Sequence, residues 1–130
     1  MRTRGFWLRS ARFEGLGWRV AHRNLKVLEA ADRAADAINR LIDRSRRRLL
    51  HVNQMQKSVQ AISANIGEAF GRREGPDRAY KLEIARGEAE ETLRHLSANH
   101  RANRIPERIY WPAHNLLVVI VRMLNSLLRP

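Results

Sequence analysis

The 130-residue chain contains no cysteine. That excludes a disulfide framework and any thiolate metal site, and it fits a reducing, cytoplasmic setting. Acidic residues are scarce, with 13 Asp and Glu against 25 Lys and Arg and a net charge of +12 at pH 7. Long apolar runs are missing as well. The opening MRTRGFWLRSARFEGLGWRVAHRN has none longer than Phe6-Trp7-Leu8, far short of a secretory h-region. Near the C-terminus LLVVIV is too short for a membrane span and is followed by Arg122, so no membrane partner is expected. No Glu-x-x-His pair, HExxH, P-loop or nucleophile elbow is present. Glu91 and His95 are four apart and read as a surface pair, while His95 and His100 are five apart and share no helix face. No catalytic residue, metal site or cofactor is expected, and the chain does not read as an enzyme.

What is abundant is arginine. A length of 130 residues suits one domain, and so strong a positive charge at this size points to a polyanionic partner, RNA or DNA. The excess is concentrated early: residues 1–24 carry six arginines and one glutamate, and residues 25–48 carry seven bases and four acids. Residues 1–23 read as a basic N-terminal arm, with residues 24–130 as the folded unit. The arm is open to several readings: a disordered terminus, a transit-type address, or a single-strand grip in which arginines interleave with Phe6, Trp7, Phe13 and Trp18.

From Asn24, a candidate N-cap, the chain reads as four helices. Leu28, Ala31, Ala35, Ile38 and Ile42 form a first seam at alternating steps of three and four, ended by the basic RSRRR at 44–48. Val52, Met55, Val59, Ile62, Ile66 and Ala69 form a second. After the break at Gly75-Pro76-Asp77, with Pro76 suited to a first helical turn, Leu82, Ala85, Ala89, Leu93 and Leu96 form a weaker third, with Glu90 and Arg94 placed to pair on its surface. Pro106 opens the fourth helix, apolar nearly all round over LLVVIVRML at 116–124. A surface helix needs one apolar stripe; two stripes suggest that one face meets another subunit.

The stretch SANIGEAFGRREGPD, residues 63–77, holds three glycines and two adjacent arginines. A phosphate loop is excluded, because no strand precedes the glycines and no Lys-Ser/Thr follows them. Gly67 and Gly71 share a helix face with Ala64, and Gly87 lies between Ala85 and Ala89. A glycine inside a helix costs about 1 kcal/mol against alanine, so two helices carrying such strips suggest close backbone approach. Glu68 and Arg72 stand in the favourable order for pairing. The expectation is a close-packed helix ending in a basic tip.

SVQAISANIGEAFGRR (58–73), followed by YKLEIARGEAEETLRHL (80–96), resembles a family of bacterial four-helix bundle proteins encoded in intervening sequences of large-subunit ribosomal RNA genes. Relatives act as accessory variability proteins of diversity-generating retroelements. NLKVLEAADRAADAI (24–38) resembles the family's first helix and VVIVRMLNSLL (118–128) its last. In this chain Gly67 precedes Glu68 and Ala69 follows it, where the family usually has alanine and then glycine, and Glu88 stands where serine is common. The resemblance implies an all-α, antiparallel up-down four-helix bundle that assembles into a ring, the homopentamer being the known form. It also implies a basic protein that binds nucleic acid and partners a reverse transcriptase, without enzymatic activity of its own.

Two sets of residues follow as candidates. Leu117, Val121, Leu124 and Leu128 form one stripe of the fourth helix, expected to meet a neighbouring subunit; Leu116, Ile120, Met123 and Leu127 form the other. Lys26, Arg33, Arg40, Arg44 and Arg47 line one face of the first helix and its continuation, widened by Arg46 and Arg48, and are expected to grip phosphates. Arg72 and Arg73 form a separate basic patch. The competing expectations are that these arginines pair with Asp36, Asp43 and neighbouring carboxylates, and that the chain is a structural or protein-interaction bundle encoded in a ribosomal RNA intervening sequence.

Overall fold

Three short breaks divide the chain into helices, and each break has a local cause. At the first break Arg44 sits in the last turn of the helix before it, where a cation meets the negative end of the helix dipole, and His51 turns the chain in the left-handed region at φ 56°. Gly75 adopts φ 143°, a conformation open to glycine and strained for other residues, and Pro76 opens the next helix. Asn103 turns the third break in the left-handed region at φ 57°, which asparagine tolerates better than most residues. The structure, a computed structural model, describes residues 18–129. The helices are α1 Trp18–Ser45, α2 Val52–Phe70, α3 Pro76–Arg101 and α4 Glu107–Leu128, with no strand among the described residues. Packing runs α1 on α2, α2 on α3, α3 on α4 and α4 on α1, with no contact across either diagonal. That is the antiparallel up-down four-helix bundle.

The seams fill the core. Ile38 and Ile42 of α1, Met55, Val59, Ile62 and Ile66 of α2, and Leu96 of α3 are fully buried. Each such side chain contributes about 1.5–3 kcal/mol by leaving water. From α4, Leu117, Ile120 and Leu124 complete the core. The α2–α3 interface is built of small residues: Ala85, Ala89, Ser58 and Thr92 are all buried. Ser58 Oγ and Thr92 Oγ1 lie 2.7 Å apart across it. Each hydroxyl has one proton, so one bridges the helices while the other goes to its own backbone, at Met55 O or Glu88 O. Every buried side-chain nitrogen or oxygen among the described residues has a hydrogen-bond partner.

Several expectations need correcting. Helix α1 begins at Trp18, six residues before Asn24, so Asn24 is a helical residue and not its cap. Of the supposed arm, residues 1–17 lie outside the described residues and 18–23 are helical. Gly67 and Gly87 do not mediate close approach: both are exposed, and a Cβ added to either would meet nothing within 4 Å. Alanine, serine and threonine bring α2 and α3 together instead. Glu90 and Arg94 form no ion pair. Glu68 pairs with Lys81 at 2.9 Å rather than with Arg72, whose guanidinium goes to the Glu68 carbonyl at 2.9 Å. Helix α4, at 22 residues, is long and apolar enough by length and composition alone to cross a membrane, although its LLVVIV run is short. Here it packs on α1 and α3.

Candidate nucleic-acid interface

Helix α1 segregates its charges by side. Asp32 faces α2 beside Ser63, with Glu29 and Asp36 as its acidic neighbours. Burial is the main cause that raises the Asp32 carboxyl above its usual range; Ser63 opposes this, and Asp36 and Glu29 add to it. Arg33, Arg40 and Arg44 lie on the flank toward α4. There they line a groove of about 380 Å³ between α1 and α4, floored by Ile38, Leu41, Ile109 and Leu116, with Arg108 reaching in from α4. At 1.5 Å per residue, Arg33 to Arg44 spans about 16 Å of helix. Pro112, inside α4, also lines this groove. It has no N–H to give the Arg108 carbonyl, one turn back along the helix.

The groove opens toward the end of the bundle that carries Arg46, Arg47 and Arg48 in the α1–α2 turn. The up-down topology brings the α3–α4 turn to this same end, with Arg101, Arg104 and Arg108. Two of these arginines brace the turns together: Arg104 Nη1 donates to Arg48 O at 2.9 Å, and Arg48 Nη2 to Asn103 O at 3.4 Å. Asn99, fully buried in α3, ties the turn more firmly. Its Oδ1 accepts from the Leu50 N–H at 2.7 Å, and its Nδ2 donates to Leu50 O at 3.0 Å and His95 O at 2.9 Å.

The described residues hold one ion pair between full charges, Lys81–Glu68, and two histidine–carboxylate contacts, His95–Glu91 and His100–Glu107, and none of these involves an arginine. The pairing of α1 arginines with Asp36 and Asp43 does not form. Arg33, Arg40, Arg44, Arg46, Arg47, Arg101 and Arg108 also make no side-chain hydrogen bond among the described residues. Several arginines elsewhere are committed. Arg23 holds Ser126, Arg86 holds Asn125, and Arg78 caps the end of α2 through Ala69 O and Arg72 O. Concentrated, uncompensated cations raise the local potential and attract anions.

The remaining candidates are placed as follows. Lys26 continues the α1 line, exposed, beyond the groove. Arg72 and Arg73 are exposed at the opposite end of the bundle, about 28 Å away along α2 at 1.5 Å per residue. Among the stripe expected to meet a subunit, Leu117 and Leu124 are fully buried in this chain's own core, and Val121 and Leu128 are half-buried. Ile120, assigned to the other stripe, is fully buried as well. The register of α4 is thus Leu117-Ile120-Leu124 inward, which leaves Leu116, Met123 and Leu127 half-buried at its flanks and Val119 exposed. Arg101, Arg104 and Arg108 were missed from sequence. The signal was the topology: antiparallel helices put the first and third turns at one end.

Among the described residues no group of three or more His, Cys, Asp or Glu side chains is placed to hold a metal ion. The fold and this surface define a class: a helical bundle with an arginine-lined groove. The chain belongs to the 23S rRNA-intervening sequence protein family, whose profile matches residues 23–126. A crystal structure of a protein of unknown function from the S23 ribosomal protein family of Bacteroides thetaiotaomicron is similar, with TM-score 0.76 and 26% identity, covering 83% of this chain and 99% of that one. No curated protein matches the chain.

Proposed function

We propose that this protein is a non-catalytic, oligomeric nucleic-acid-binding protein, and that the α1–α4 groove with its arginine-rich end holds the phosphate backbone. One observation carries the reading: Arg33, Arg40, Arg44 and Arg108 along the groove, with Arg46 and Arg47 at its end, have neither a carboxylate nor a hydrogen-bond partner among the described residues. Guanidinium groups spaced along a helix contact phosphates without reading bases. The apolar outer flank of α4, with Val119 38% exposed, supports self-association. Repetition of the basic surface around a ring, a homopentamer in the form we favour, multiplies weak contacts. The reading extends to a cytoplasmic accessory of a reverse transcriptase, which needs a basic nucleic-acid holder without chemistry of its own.

The test is a titration of labelled RNA and DNA at several salt concentrations. Binding by wild type is expected to weaken steeply with salt as counterions are released. Arg40→Gln, Arg44→Gln and Arg108→Gln together should lower affinity about equally across sequences and flatten the salt slope by about 3 in log–log units, near one per phosphate contact. A folded triple variant with unchanged affinity and slope would remove the groove as the site. A wild type that binds neither polymer would leave a protein-interaction bundle as the better reading. Copurification with a reverse transcriptase encoded beside the gene tests the accessory role.

A further inference from the structure

Helix α4 carries one large aromatic side chain on its exposed surface. Trp111 is 44% exposed, yet it is not loose. Its indole meets Tyr110 edge to face at 4.7 Å, His114 at 5.1 Å and His100 at 5.7 Å. The support behind it is itself fixed. His100 stacks on Tyr110 at 3.8 Å with their planes 2° apart, and His100 Nε2 lies 3.2 Å from Glu107. The Tyr110 hydroxyl lies 3.2 Å from Ser97 Oγ. Tyr110 and His100 already seal the corner between α3 and α4, so sealing does not account for an exposed indole. His114, which meets the indole, also lines a hollow of about 350 Å³ between α3 and α4, together with Leu93, Arg94, Ser97 and Arg101. Neither Arg94 nor Arg101 has an ion-pair or hydrogen-bond partner among the described residues.

An aromatic face held rigid beside two uncommitted cations matches the chemistry of an unpaired nucleotide: a planar base to stack and a phosphate to hold. A duplex hides its base faces in the stack, so it offers this site only its backbone. A second copy of this chain is the less fitting occupant, since the flank assigned to self-association above is the apolar one at Val119, whereas this corner presents Arg94 and Arg101. A preset ring also loses little freedom on binding. Resting on the nucleic-acid reading above, we infer that Trp111 is a stacking platform for an unpaired base, with Arg94 and Arg101 holding the adjoining phosphates, so that the protein prefers single strands.

The experiment compares oligo(dT), an abasic strand of equal length and charge, and a duplex, using wild type, Trp111→Ala, Trp111→Leu and Tyr80→Ala. Tyr80 is a control, being 61% exposed at the far end of the bundle. Trp111→Leu keeps an apolar side chain without a π face, which guards against unfolding of the alanine variant. The expected result is a loss of about tenfold on oligo(dT) for both Trp111 variants. Both should match wild type on the abasic strand, and Tyr80→Ala should match it throughout. The inference is overturned if the Trp111 variants bind oligo(dT) like wild type, or lose oligo(dT) and the abasic strand alike. Oligo(dT) binding that stays intact while the sedimentation coefficient falls assigns Trp111 to a contact between copies and overturns it too. If wild type binds none of the three, the broader nucleic-acid reading fails, which is a separate outcome.

Discussion

Asn99 has no charge and is fully buried, yet it holds the backbone of a turn forty-nine residues away at both its donor and its acceptor. Asn99→Ala leaves the Leu50 N–H and C=O without partners in a half-buried site. Each buried group so orphaned costs about 1–3 kcal/mol. We expect a loss of about 2–4 kcal/mol in urea unfolding, far more than an average surface substitution. Two carboxylates set the acid response in the opposite sense from a third. Burial is the main cause that raises Asp32 and also Glu88 above the usual carboxylate range, with Glu91 adding to the effect on Glu88. A raised folded-state value means that the folded protein holds the proton more tightly than the unfolded chain. These two groups therefore favour folding more as pH falls through their folded values toward 3.8 for Asp32 and 4.5 for Glu88, their ordinary values. Glu68, lowered by its hydrogen bond and charge contact with Lys81, contributes stability above 4.5 that fades as pH falls. Accordingly Asp32→Asn should raise the melting temperature at neutral pH, and that gain should shrink at acid pH. Paired thermal unfolding curves check both statements.

At the scale of the helix, the exposed glycines give a clean comparison. Gly67 and Gly87 lie inside α2 and α3 with open space where a Cβ would stand. Gly67→Ala and Gly87→Ala should each stabilise the folded chain by about 0.5–1 kcal/mol, through helix propensity and a less flexible unfolded state. Conversely, Ala89→Leu at the α2–α3 interface should destabilise by about 1–3 kcal/mol through overpacking. Thermal unfolding of the three variants tests the assignment of which small residues are packed. The glycines show how far periodicity carries. The seams of α1 and α2 were legible because each apolar residue repeats at helical spacing and one face must be buried. Which small residues face a partner was not legible, because glycine and alanine carry too little hydrophobic signal to mark a side. The inward register of α4 escaped for the opposite reason: nearly every residue there is apolar, so Ile120 and Val121 could not be ranked. The α1 arginines could be read from their spacing. Their freedom from Asp36 and Asp43 could not, because it depends on the acids of α1 lying toward α2 and the arginines toward α4. Trp111 is adjacent to Tyr110 in sequence, and only packing separates the buried ring from the exposed one.

For the molecule as a whole, assembly and stability depend on different residues of α4. Val119→Glu places a charge on an exposed position and should keep the helical circular dichroism spectrum while lowering the mass seen by light scattering, if that flank joins copies as proposed. Leu124→Ala empties a core site and should cost about 2–5 kcal/mol, with the loss visible in unfolding rather than in the assembly of folded chains. The tie at Asn99 has one more consequence, which lies in time rather than in energy. A turn amide ordinarily exchanges its proton with solvent quickly, because its local opening is nearly free. The Leu50 amide instead donates to a side chain sealed inside α3. Its proton can leave only when α3 and the first turn part. In deuterium oxide it should exchange as slowly as the amides of the α2 core. It thereby reports how often the arginine-bearing end of the bundle opens, and Asn99→Ala should release that one proton early while the α2 amides keep theirs.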